Sequence, residues 1–143
     1  MSVLYADTSA LARLYLIDEP DAVELEALLL EGGAPVSTSE LSDVELARAV
    51  IAAERSRRIA SARPVLNLIS RHLGTVIGLV RLTPETVLTR ARPIVLEHRI
   101  GTLDAIHLAV ALDLRATYDE DVVFVTRDQD QAAAAKALGF PLL

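Results

Sequence analysis

The spacing of apolar positions changes period repeatedly along the chain. Val3 to Ala6 forms a short continuous apolar run and predicts a buried strand, and from Ser9 to Leu16 the apolar positions fall at helical spacing. Pro20 suits the first turn of a second helix reaching about Glu31, where "EGGAP" terminates it. Pro35 to Thr38 reads as a second strand. A long helix follows from about Ser39 to Arg58, with Leu41, Val44, Ala47 and Ile51 on one face. Ala62 to Leu73 predicts another helix, and "TVIGLVRL" a strand. Thr83-Pro84 caps a helix to about His98, and Gly101-Thr102 opens one to roughly Leu114, with Thr102 as its natural cap. "VVFVT" is the clearest strand in the chain. Asp128 to Leu138 is helical, Gly139 ends it, and Phe140 to Leu143 predicts a last edge strand.

Strands separated by helices imply right-handed crossovers and a parallel sheet covered on both faces. The expected fold class is α/β: an α/β/α sandwich with a central, mainly parallel sheet of four to five strands, formed as one domain over residues 1–143. Ligands of such sheets bind beyond the carboxyl ends of the strands.

Composition narrows the picture. Hydrophobic residues make up 52% of the chain but aromatic ones only 3%, so aliphatic side chains must build the core. No uncharged stretch approaches the ~18–20 residues that span a bilayer, and the start of the chain lacks a signal-peptide pattern. Cysteine is absent, which excludes disulfides and thiolate ligands. These features set a soluble, cytoplasmic protein without membrane association as the expectation. The net charge of −6 opposes contact with nucleic acid, unless basic residues are locally concentrated. Arg48, Arg55, Arg57, Arg58 and Arg127 are the candidates for phosphate contact, and arginine suits bidentate phosphate recognition better than lysine.

The acids fall where ligands of this fold class bind. Asp7 follows the first strand, Glu40, Asp43 and Glu45 follow the second, and Asp128 and Asp130 follow "VVFVT". Asp104 lies in the first turn of an otherwise apolar helix. Each acid has a structural alternative. Asp7, Asp104 and Asp128 suit helix capping, worth about 0.5–2 kcal/mol each, and Ser42-Asp43-Val44-Glu45 fits a capping box. Asp104 fits this account least, because Thr102 already offers a cap and an unpaired carboxylate on a buried helix is costly. His107 reads better as a hydrogen-bonded core histidine than as a ligand.

"LYADTSAL", "SELSDVELARA", "GTLDAIHLAVA" and "VVFVTRDQDQAAAAKALGF" resemble, in order and spacing, the PIN domain, and within that superfamily VapC-type toxins of bacterial toxin–antitoxin pairs. The resemblance covers essentially the whole chain. It implies an acidic quartet of Asp7, Glu45, Asp104 and Asp128, catalytic and metal-binding, with Asp130 auxiliary and Thr8, Ser9, Ser39 and Thr126 orienting the acids. A carboxylate cluster without Cys or His ligands suits Mg²⁺ or Mn²⁺, and such a metal activates water for attack on phosphorus. The implied activity is metal-dependent endoribonuclease action on RNA, with transfer RNA the target suggested by family habit. The implied partners are a VapB-type antitoxin and a second copy of the chain in a homodimer. Competing readings are a PIN nuclease of RNA processing or DNA metabolism, a non-catalytic PIN-like binding module, and a phosphate-accepting domain using Asp7.

Overall fold

The computed structural model describes residues 2–143. In chain order the elements are β1 (Ser2–Ala6), α1 (Thr8–Tyr15), α2 (Ala22–Leu29), β2 (Val36–Ser39), α3 (Leu41–Arg55) and α4 (Ala62–His72). β3 (Gly78–Val80), α5 (Pro84–His98), α6 (Thr102–Tyr118), β4 (Asp121–Val125) and α7 (Gln129–Ala137) complete them. The four strands form one sheet in the order β3-β2-β1-β4, and every pairing is parallel. Leu4 stands beside Val36, Tyr5 beside Phe124 and Ser39 beside Val80.

Strand alternation divides the core into two layers. Leu4, Ala6, Val36 and Val125 face α1 to α4, packing on Leu11, Leu25, Leu46, Val50 and Ile69. Tyr5, Val122 and Phe124 face the other layer, against Val87, Ile94, Leu108, Ala109 and Ala135. This is the expected α/β/α sandwich. Because the strands are parallel, Asp7, Glu40 and Thr126 all leave the sheet at the same edge. The chain crosses from β1 to β2 on one side and reaches β4 on the other, so β1 and β4 bound the topological switch point.

Several local expectations are corrected. The apolar stripe of Leu41, Val44, Ala47 and Ile51 does not face the core: Val44 is 69% exposed, and the buried side of α3 carries Ser42, Leu46, Val50 and Ala53. Hydrogen bonds to Ser42 allow a polar residue on that inner face. Pro20 precedes α2 rather than opening it. Gly101, not Thr102, caps α6. The last edge strand reduces to one parallel bridge, Leu142 beside Phe124, because only the carbonyl of Pro141 and the N–H of Leu143 reach Phe124.

Candidate active site

Asp7 is buried, with 3% of its surface exposed. It ends β1 and caps α1: Oδ2 accepts the Ser9 N–H at 3.0 Å, and Oδ1 accepts from Nε2 of Gln131 at 3.1 Å. Asp128 caps α7 in the same manner, with Oδ1 accepting the Gln131 N–H at 2.9 Å. Capping is therefore real for these two acids, and it leaves each carboxylate at a helix N-terminus that favours negative charge.

Capping does not explain the other two. The capping box proposed for Ser42 and Glu45 is not formed. Ser42 Oγ lies 2.7 Å from Thr38 Oγ1 and 3.1 Å from Thr8 Oγ1, while Glu45 Oε1 accepts from Thr8 Oγ1 at 2.8 Å. His107 Nε2 lies 2.6 Å from the same Glu45 oxygen, and its Nδ1 lies 2.7 Å from the Tyr5 hydroxyl. His107 is thus the hydrogen-bonded core histidine expected from the sequence. With Thr8 and His107 both on Oε1, the second oxygen of Glu45 remains for a ligand. Burial alone would raise the Glu45 carboxyl, but the hydrogen bond and charge of His107, with Thr8, bring it below its ordinary value. Burial alone would likewise lower His107, yet Glu45, Asp7 and Asp104 hold it above.

Asp104 is half-buried in the first turn of α6, and among the described residues no hydrogen bond reaches its carboxylate. Its pKa is pushed up to about 6, by burial first and then by the charges of Asp7, Asp128 and Glu45, with His107 opposing. Asp7, Asp128 and Glu45 thus all act on Asp104.

The predicted auxiliary residues have defined tasks. Ser9 Oγ accepts the Arg127 N–H at 2.9 Å and lies 3.1 Å from Thr126 Oγ1. Thr126 accepts the Asp128 N–H at 3.1 Å and donates to Gln131 Oε1 at 2.6 Å. Ser39 Oγ accepts the Leu41 N–H at 3.0 Å and so braces the start of α3 rather than an acid. Asp130 is exposed in the first turn of α7. Glu40 turns away, accepting the Leu82 N–H at 2.6 Å.

The arginines divide into two sets. Arg58 is bound to Asp18 at 2.9 Å and Glu19 at 3.0 Å, and Arg127 to Asp21 at 2.5 Å. Neither guanidinium is held ready for phosphate. Arg48, Arg55 and Arg57 are exposed and make no ion pair among the described residues. Arg48 and Arg55 line a hollow of about 670 Å³ with Ala47, Ile51, Ala52 and Ser56. They share a face of α3 with Glu45, so this hollow runs along the helix away from the acids rather than enclosing them.

The sequence reading missed Tyr5, Thr38 and Gln131. The polar groups of all three are buried and find partners more than thirty positions away, at His107, Ala6 and Asp7. Gln131 had one legible signal: Asp128-Gln129-Asp130-Gln131 has capping-box spacing.

Among the described residues no three His, Cys, Asp or Glu side chains are grouped so as to hold a metal ion by themselves. Both oxygens of Asp7 and one of Glu45 already accept hydrogen bonds from the protein. An incomplete, all-oxygen set still fits a hard cation such as Mg²⁺, which keeps several waters. The bare Asp104 carboxylate is the group most in need of it.

The fold and site define a class: parallel α/β proteins that gather carboxylates at the switch point of the sheet. The chain belongs to the PIN domain family, whose model matches residues 4–137. No curated protein matches it by sequence. Solved structures share the fold at low identity. A sarcin-ricin loop cleaving toxin, VapC20 of Mycobacterium tuberculosis, is 20% identical with a TM-score of 0.66, covering 96% of this chain and 95% of that one. VapBC2 of Rickettsia felis, bound to a promoter DNA fragment, is 12% identical with a TM-score of 0.65 and coverages of 99% and 97%. A toxin–antitoxin complex from Klebsiella pneumoniae is 19% identical with a TM-score of 0.60 and coverages of 98% and 95%.

Proposed function

We propose that this protein is a Mg²⁺- or Mn²⁺-dependent endoribonuclease, the toxin of a VapBC-type pair with a VapB-type antitoxin. The observation that carries the reading is the Asp104 carboxylate, half-buried without a protein donor and facing the charges of Asp7, Asp128 and Glu45. Membership of the PIN family and the toxin folds of the neighbours support it. Asp7, Glu45, Asp104 and Asp128 would hold the cation. When bound, the metal supplies Lewis-acid stabilisation of phosphate charge and acidifies water.

The chain's own residues supply the rest. Thr8 and His107 hold one oxygen of Glu45, and among the described residues no hydrogen bond takes the other. The N-termini of α1 and α7 favour an anion at the same place. Arg48 and Arg55 would grip the RNA backbone beside the site, and Arg57 could add a contact at the end of α3. A homodimer, which the family resemblance implies, would bring a second set of these arginines, and the cytoplasm is where RNA and antitoxin are met.

The test is cleavage of an RNA pool by antitoxin-free protein in Mg²⁺, Mn²⁺ or EDTA, beside Asp7→Asn and Asp104→Asn. Cleavage that needs metal and falls at least a hundredfold in both variants supports the reading. Variants that cut as fast as wild type refute it.

A further inference from the structure

Gln131 is fully buried, 0% exposed, and no reading of the acids alone gives it a task. We propose that Gln131 is a positioning residue of the metal site, its carboxamide fixing the Asp7 carboxylate and coupling it to the first turns of α6 and α7. The inference rests on the nuclease reading above.

Hydrogen-bond direction carries the argument. The Arg127 N–H donates to Ser9 Oγ, so the Ser9 hydroxyl proton is free to point to Thr126 Oγ1. Thr126 also accepts the Asp128 N–H and sends its own proton to Gln131 Oε1 at 2.6 Å. The amide orientation follows. Nε2 must face outwards, where it donates to Asp7 Oδ1 at 3.1 Å and to the Asp104 carbonyl at 3.3 Å. A flipped amide would set its oxygen against two obligate acceptors, the Asp7 carboxylate and the Asp104 carbonyl. The chain therefore runs one way, from a backbone N–H to the buried acid.

Half of a capping box has been given up to allow this. In a complete box the side chain at the third helical position returns to the N–H of the cap. Here Asp128 takes the Gln131 N–H, but Thr126, not Gln131, accepts the Asp128 N–H. The carboxamide is released towards Asp7. A carboxylate oxygen has two lone pairs, so the Gln131 bond leaves Oδ1 able to accept a cation as well. A neutral donor is the residue type this place requires, because a glutamate would add a fifth negative charge. Gln131 thereby touches three of the four acids: Asp7 by side chain, Asp104 at its carbonyl, and Asp128 through its own N–H.

Mn²⁺ titration calorimetry and RNA cleavage on wild type and Gln131→Met, at a temperature where circular dichroism shows both folded, test the role. Loss of a supporting group beside a ligand typically weakens metal binding about 10–100-fold. We expect that loss, kcat falling in step, and KM for RNA within about twofold. Equal Mn²⁺ affinity and kcat in the two proteins would overturn the role while leaving the nuclease reading intact. A wild type that neither binds Mn²⁺ nor cuts removes both. Should Gln131→Met not fold, wild-type NMR decides. The chain has three side-chain carboxamides, Asn67, Gln129 and Gln131, so their signals are separable. The Gln131 pair should exchange slowly with solvent and shift on Mg²⁺ addition, with Asn67 unmoved; a fast-exchanging, unresponsive Gln131 pair overturns the proposal.

Discussion

A carboxylate with a raised pKa weakens the fold at the pH where it is charged, and Asp104 is that residue here. Its ordinary value of 3.8 is moved to about 6. Protonation then favours the folded state, so this contribution is present below about pH 4 and is lost as pH rises through about 6. After allowance for partial exposure, the loss is on the order of 1–2 kcal/mol. In EDTA, Asp104→Asn should melt a few degrees above wild type at pH 7.5, and the gap should narrow by pH 4.5 and close below about pH 4. A gap that is the same at both pH values would contradict the shared site. His107 makes the opposite contribution. Its ring joins Tyr5 to Glu45, and His107→Phe leaves the buried Tyr5 hydroxyl unpaired while Glu45 keeps only its bond from Thr8. Urea unfolding should report a loss of about 1–3 kcal/mol, since one buried hydroxyl is stranded.

Helix ends and faces show where sequence patterns succeed and fail. α4 begins at Ala62, whose N–H donates to Glu54 Oε2 at 2.6 Å, while Ser61, the local capping candidate, makes no side-chain cap. Glu54→Ala should therefore cost about 1 kcal/mol in urea melts, and Ser61→Ala close to nothing. No local motif announces a cap supplied from another helix. The strands were legible because apolar runs such as "VVFV" end in turn-forming or acidic residues. The inner face of α3 was not, because Val44 and Ile51 sit on its outer side and Ser42 is admitted to the core by Thr38 and Thr8. At the site, Asp7, Glu45, Asp104 and Asp128 could be found as acids at predicted element ends. Gln131 could not be assigned, since the partner that gives it meaning lies 124 positions earlier.

For the whole molecule, the net charge of −6 sets the terms on which the proposed RNA substrate would be met. Attraction must come from the exposed arginines against a repelling background, so binding should weaken steeply with salt. Replacing Arg48 and Arg55 together by Ala should lower RNA affinity about tenfold and flatten the log–log salt dependence by about one to two charges. Arg58→Ala should alter neither measurement appreciably, because that guanidinium is held by Asp18 and Glu19. If Arg58→Ala matches the double variant, the RNA path lies off α3.

The order of strands has a consequence for synthesis. β1 is the first strand of the chain, and its outer neighbour β4 is the last. Until β4 docks, Asp7 and Asp128 are separated by nearly the full polypeptide, and the loop-closure entropy of so distant a contact slows folding. On the proposed nuclease reading, a ribosome translating these residues would carry an inert site until α7 has emerged.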